Sequence, residues 1–518
     1  MNHTEIAATA DSDPRDEHDP LRSVDVIIVG TGFSGLGMGI QLARENNKSF
    51  VMLERAADVG GTWRDNTYPG AACDIQSHLY SFSFRPNPDW SRVYATQPEI
   101  LQYLQAAARE EGLVPHIRFG AEVLDARWDE TQEHWTVSTP RGTFTGKSLV
   151  TASGHLSDAK FPNIKGIDSF SGEIFHSAQW DHDVQLEGKR IGVVGSGASA
   201  IQIVPEIAET AAELTVFQRS APYVIPRLDY FYTDAERGMF RKFPHTAQAI
   251  RDELFWGNEA RFPQRRGVPA FIDQITETAD NHRKSQIADP VLYKKLTPNY
   301  AIGCKRILIS NDYYPALTRS NVTLETDGIS HIEGNTVVTR EGERHELDVL
   351  VLSTGFEASD LPISHRIYGK GDVSLADHWG KGGQAYACTT VSGFPNLFVM
   401  LGPNTGLGAG SIIFMAETQI SYIAGALKYM SENSVSSLEV RAEAEEEYVK
   451  TIHDRSQGTV WLSGGCESWY VDPRNGRLTT LWPDFMSQFR KENGTFRDDD
   501  YVVRARSDQS QPILAGGR

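Results

Sequence analysis

Twice in this chain an apolar, β-branched run ends in a glycine turn that opens a helical pattern. Val24–Val29 leads into Gly30-Thr31-Gly32-Phe33-Ser34-Gly35 and then LGMGIQLARENN. Arg190–Val194 leads into Gly195-Ser196-Gly197-Ala198-Ser199-Ala200 and then IQIVPEIAETAAE. Each helix is followed by another apolar strand, FVMLE at 50–54 and LTVFQ at 214–218. Strand, glycine turn, helix and strand make one βαβ unit. Two such units predict an α/β chain with two Rossmann-like dinucleotide-binding domains. Glycine at those positions lets the backbone approach a pyrophosphate, whose charge then sits on the helix N-terminus.

The two copies differ where it matters. Counting 24 residues from Gly30 reaches Glu54, and 24 from Gly195 reaches Arg219. A carboxylate at the end of the second strand accepts hydrogen bonds from ribose hydroxyls, whereas an arginine there neutralises a 2′-phosphate. The first loop therefore suits FAD or NAD and the second suits NADP, with Gln218 and Ser220 as further donors beside Arg219. An FAD-type loop followed by an NADP-type loop describes a module that passes electrons from NADPH to a flavin.

Composition removes several destinations for those electrons and several partners. The 518 residues carry 50 Lys+Arg against 68 Asp+Glu, a net charge of −18 that opposes nucleic-acid binding. No apolar run reaches the roughly 18–20 residues of a membrane span. The first 20 residues hold six acids and no hydrophobic stretch, which reads as a disordered acidic tail and a cytoplasmic protein; residues 504–518 read as a second mobile tail. The four cysteines, Cys73, Cys304, Cys388 and Cys466, are widely scattered. They suggest no redox-active pair, no metal site and no disulfide framework.

Dioxygen is the remaining acceptor, and two longer patterns bear on it. Phe170-Ser-Gly172-Glu-Ile-Phe-His176-Ser-Ala-Gln-Trp180-Asp181 fits FxGxxxHxxxW(P/D) at every fixed position. Gly60-Gly61-Thr62-Trp63-Arg-Asp-Asn-Thr-Tyr68-Pro69-Gly70-Ala-Ala-Cys-Asp74 fits (A/G)GxWxxxx(F/Y)P(G/M)xxxD. With the two glycine loops, these resemble the Baeyer–Villiger monooxygenases, a branch of the flavin-dependent class B monooxygenases, over about residues 22–490.

The resemblance implies an enzyme that uses FAD, NADPH and O2 to insert one oxygen atom beside the carbonyl of a small-molecule ketone, giving an ester or lactone. In that family O2 adds to flavin C4a, and the resulting peroxide anion attacks the carbonyl. A fixed cation near the peroxide favours the anion. Tyr300-Ala-Ile-Gly303-Cys304-Lys305-Arg306 is similar to the family segment supplying it. By that match Arg306 is the active-site arginine, Asp74 sets its position, and Lys305 helps Arg219 and Ser220 hold the NADP phosphate. His176 reads either as an acid–base group or as a hydrogen-bonding strut of the interdomain linker. Trp469 is either a neighbour of the nicotinamide or a core tryptophan. Gly30, Gly32, Phe33, Gly35, Glu54, Gly61, Thr62, Trp63, Asp74 and Tyr80 are expected to contact FAD. Asn404, Thr405 and Gly406, in a glycine loop opening the last helix, are expected there too. Gly195, Gly197, Ala198 and Ser199 are expected to contact NADP.

The expected layout is an FAD domain from 21–155 and 385–518 and an NADP domain from 160–222 and 325–384. A helical insertion at 223–324 separates the NADP segments; 12 of the 80 residues from 221 to 300 are aromatic, against 10% overall. Two rivals share the glycine loops: a flavin monooxygenase acting on sulfides or amines, and an NADPH oxidase or flavin reductase. The sequence sets neither the ketone nor the oligomeric state.

Overall fold

In the computed structural model the described residues are 19–505. Residues 1–18 of the expected acidic tail and 506–518 of the second tail lie outside them. Two ends of those tails belong to the body. Asp19 pairs with Arg118 at 2.5 Å, and Arg504 and Ala505 finish the strand Tyr501–Ala505, which pairs antiparallel with Val435–Val440.

Both glycine turns lie at the heart of a parallel sheet. The larger sheet has eight strands. Its parallel part runs from Leu397–Val399 through Gly142–Thr151, Ser23–Val29 and Phe50–Glu54 to Ile117–Phe119. Gly142–Thr151 also closes an antiparallel meander with His134–Thr139 and Asp125–Asp129. Ser23–Val29 can be a nearly continuous apolar run because both faces are covered; the helices Phe33–Glu45 and Ile412–Glu432 pack on each other over one of them. The second sheet is five-stranded and wholly parallel, in the order Val322–Glu325, Glu213–Phe217, Arg190–Val194, Val349–Leu352 and Glu173–His176.

The chain returns to the first sheet earlier than the expected residue 385. Ile367–Tyr368 pairs with Ala126 and Arg127, and Leu375 and Trp379 are buried in the core of the larger sheet. No glycine motif or periodicity marks that crossing, since the strand has only two residues. The insertion is helical, as expected, over Asp234–Lys242, Pro244–Glu259, Pro269–Gln286 and Pro290–Lys295. Thr233 starts it with a capping box, accepting from Glu236 N while the Glu236 carboxylate accepts from Thr233 N. It rests on both domains. Phe240 and Ala247 are buried in the first core, and Leu296, Tyr313 and Tyr314 in the second. That bridging brings residue 306 back to the domain boundary.

Candidate active site

Each cradle follows from what a side chain would strike. Gly30 has φ +98°, and a Cβ there would lie 2.7 Å from Ala152 O. Gly195 has φ +122°, and its Cβ would lie 2.3 Å from Ser353 O. In both domains the residue just past a neighbouring parallel strand, Gly142–Thr151 or Val349–Leu352, thus supplies the carbonyl that forbids a side chain at the first glycine. Gly32 directly precedes the helix Phe33–Glu45, and Ser199 precedes Ala200–Ala208. In the first domain Gly61, at φ +51°, brings a second backbone against the loop, a Cβ there lying 3.1 Å from Gly32 Cα. Two side-chain-free backbones facing a helix N-terminus fit a dinucleotide pyrophosphate. Thr62 starts the short helix Thr62–Asp65 beside them. In the second domain nothing lies within 4 Å of a Cβ on Gly197, an open approach of the same kind. Ala198 O there accepts from Gln202 Nε2.

Aromatic groups wall the first cradle. Trp63 Nε1 donates to the Tyr80 hydroxyl at 3.0 Å, and Phe33 meets Tyr80 edge-on at 5.2 Å. Glu54 is 3% exposed and already engaged. Its carboxylate accepts from Thr31 N, Thr31 Oγ1 and Ala56 N and pairs with Arg64 at 2.9 Å. A carboxylate has about four acceptor positions, so a ribose hydroxyl reaching Glu54 has to share or displace one of these donors.

The Gly60–Asp74 pattern and the segment 300–306 come together at the end of the first. Arg306 Nε and Nη2 donate to Asp74 Oδ2 and Oδ1 at 2.6 and 2.7 Å, a bidentate pair closed across 232 residues. Asp74 holds Arg306 well above the ordinary arginine pKa. Burial alone would raise the Asp74 carboxyl; the charge and hydrogen bonds of Arg306 outweigh it and leave the carboxyl below the usual range. The side chains are 34% and 31% accessible, and Arg306 lines a small cavity of about 20 Å³ with Arg265, Trp461 and Tyr470.

The second phosphate site also assembles. Arg219 is exposed, and Lys305 Nζ donates to Ser220 Oγ at 2.9 Å. Lys305 is lowered in pKa by burial and then by Arg219, so two cations are held close enough to repel. Gln218 is a correction to the expected donor set. It is 3% exposed, and its amide donates inward to Lys295 O. Alternation along the strand Glu213–Phe217 turns its side chain away from Arg219.

His176 has the environment of a strut. It is 1% exposed at the end of its strand, its Nδ1 accepts from Ala178 N, and Phe161 and Phe356 flank the ring. Burial lowers its pKa, keeping it neutral. Trp469 is 42% exposed and lies against His155 and Tyr470, so it is not a core residue. The loop 402–410 is fixed by Asn404, which donates to Leu478 O and Leu481 O, by Thr405 Oγ1 on Gly402 O, and by Gly406 N on Thr480 O. The helix after it begins only at Ile412, with Ser411 capping Ile413 N, and further helices follow. It is therefore not the last helix, and residues 404–406 precede it by more than a turn.

One sequence expectation fails outright. Cys304 and Cys466 form a disulfide across 162 residues. Spacing gives no hint of it because two loops, not one motif, bring the sulfurs together; Ala301 N donates to Gly464 O alongside. The link ties the segment bearing Lys305 and Arg306 to the loop bearing Trp469. Thiol titration of the unfolded, unreduced protein is expected to find only Cys73 and Cys388, which are free and buried; all four reacting without reductant would refute the pairing. Sequence reasoning also passed over Tyr470, 3% exposed beside Arg306, and Arg265.

Comparison with known proteins agrees with this geometry. Residues 23–237 match the flavin-binding monooxygenase-like family. A Baeyer–Villiger monooxygenase of Streptomyces coelicolor is 45% identical over 94% of each chain. One from Pseudomonas aeruginosa is 44% identical over 90% of this chain and 89% of its own. The structure of an oxidized steroid monooxygenase bound to NADP superposes with a TM-score of 0.82 at 31% identity, covering 93% of this chain and all of that one. With that likeness over nearly the whole length, and with both fingerprints and both glycine cradles in place, the chain belongs to the Baeyer–Villiger monooxygenases.

Proposed function

We propose that this chain catalyses the NADPH- and FAD-dependent conversion of a small-molecule ketone to an ester or lactone, with Arg306 as the fixed catalytic cation. The reaction balances as ketone, O2, NADPH and a proton giving ester, NADP+ and water. Bound FAD supplies the activation of dioxygen. The protein's part is electrostatic and positional. Arg306 holds a permanent charge where negative oxygen develops, and guanidinium stays protonated at any working pH. Asp74 fixes its orientation through two hydrogen bonds, while Arg219, Ser220 and Lys305 receive the 2′-phosphate of NADPH. His176 keeps the linker between the sheets in register, and Trp469 would lie on the nicotinamide side when NADPH is bound. The observation that carries this reading is the bidentate Arg306–Asp74 pair joining the two family segments at the domain boundary.

Turnover of a ketone panel under 18O2 tests it: one labelled atom per ester and one NADPH per product are expected. Oxygenation of sulfides or amines alone would replace it with the soft-nucleophile reading, and peroxide release alone with the oxidase reading. For the phosphate site, Arg219→Ala should raise the KM for NADPH by on the order of 10–100-fold, the worth of a charge-assisted contact, and scarcely change that for NADH. An equal change in both would place the 2′-phosphate elsewhere.

A further inference from the structure

The cavity lined by Arg306 holds a second guanidinium that the reaction as written does not use. Arg265 ends the short helix Phe262–Arg265 in the insertion and is 9% exposed. Its Nη1 donates to Arg261 O at 2.6 Å, and among the described residues no carboxylate pairs with it. The other two buried arginines are provided for. Arg251 donates to His78 O and Ser81 O, and Arg283 pairs with Asp280. Nor does Arg306 lend Arg265 a partner, since Asp74 is fully engaged by Arg306 itself. Burial first, then repulsion from Arg261 and Arg306, lowers the Arg265 pKa to about 10, which still leaves a cation at neutral pH. A buried charge with no counter-ion is a costly arrangement, and one that a bound anion would relieve.

The surroundings say which anion. Arg265 packs on the glycine loop, a Cβ on Gly408 lying 3.1 Å from its Nε. The rest of the cavity wall is mixed, with Ile275, Ile302, Ile307, Val460 and Trp461 as its apolar part and Gln264, Lys305 and Tyr470 as further polar members beside the two arginines. A molecule fitting this lining has a carbonyl for Arg306, an apolar body, and a planar anion for a guanidinium fork. We propose that Arg265 anchors a carboxylate carried by the substrate, so that oxo-carboxylic acids, rather than neutral ketones, are the preferred substrate class. The proposal rests on the ketone-oxygenating reading above and names its substrate.

The test uses the holoenzyme and a series of (ω−1)-oxo carboxylates of increasing length, each paired with its methyl ester. Wild type is expected to favour the acid at one or more lengths by on the order of 10–100-fold in kcat/KM, the worth of a charge-assisted pair. Arg265→Gln should remove that preference mainly through the KM for the acids, with turnover of the methyl esters changed far less, and Arg265→Lys should keep part of it. A measurement without mutants keeps the proposal testable if Arg265→Gln does not fold: hexanoate should compete with the oxo acid and hexanamide should not. Equal turnover of acid and ester at every length would overturn the proposal. So would an Arg265→Gln variant that loses acid, ester and NADPH-driven flavin reduction together, since that marks a structural or cofactor role. Consumption of NADPH with no oxygenated product from either series would sink the ketone reading itself, whereas oxygenation of esters without preference for acids sinks only the assignment of Arg265.

Discussion

Arg306→Ala cuts ester formation by on the order of 10²–10³-fold in kcat while NADPH still reduces the flavin: that is the expected result, the usual cost of removing one group that stabilises developing negative charge. The nicotinamide and flavin sites are built mainly from other residues, so NADPH oxidation continues and its electrons leave as hydrogen peroxide. Arg306→Lys retains a charge but loses the fork on Asp74, and it should recover only part of the ester yield. Asp74→Ala should resemble Arg306→Ala in product yield, because it leaves a guanidinium partly buried and unheld. Ester yield persisting in Arg306→Ala would remove the residue from the chemistry.

The pair also predicts a pH signature. Folding depresses the Asp74 carboxyl below its ordinary 3.8 and raises Arg306. A carboxyl depressed on folding contributes stability that is complete above its unfolded pKa and is lost as pH falls through its folded one. For Asp74 that window lies wholly below about pH 3.9, and arginine does not titrate below about pH 12. The ratio of wild-type to Arg306→Ala ester yield should therefore stay constant across the neutral range. A ratio that changes through neutral pH would mean that another titrating group shares the work.

How much of this was legible beforehand depended on whether the information was local. The glycine loops declare themselves within ten residues, because strand, turn and helix N-terminus are contiguous, and the difference between Glu54 and Arg219 needs only a count along the chain. Asp74 and Arg306 are far apart, yet each sits in a distinctive segment, and the resemblance joined them. The disulfide, the early return at Ile367 and the inward turn of Gln218 had no such carrier. They result from where loops and short strands land once the two sheets are packed. Arg265 is the sharpest case. In RFPQRR it reads as one of three solvated charges, and only burial against the 402–410 loop sets it apart from Arg261 and Arg266, which are exposed.

The glycine cradles allow a paired experiment with opposite outcomes. Gly35 sits in the first turn of the helix Phe33–Glu45, where a Cβ would lie 2.0 Å from Gly30 O and 3.5 Å from Ala152 Cβ. The obstacle is backbone, in the turn that presents N–H groups to the pyrophosphate, so no rotamer change can relieve it. Gly35→Ala must push the helix off the strand or distort the Gly30–Gly32 turn. Overpacking of this kind costs about 1–3 kcal/mol or more, and the distortion falls on the phosphate site itself. The variant should purify nearly colourless, with flavin absorbance per protein and thermal stability both reduced. Gly197 is the control from the second domain, because a Cβ there meets nothing within 4 Å. Gly197→Ala should keep its full flavin content and melting temperature and show only a raised KM for NADPH, as the added methyl stands where the phosphate approaches. A fully yellow Gly35→Ala protein would mean that the first turn can relax around a methyl group. A colourless Gly197→Ala protein would mean that the second loop supports the first domain instead of receiving its own dinucleotide.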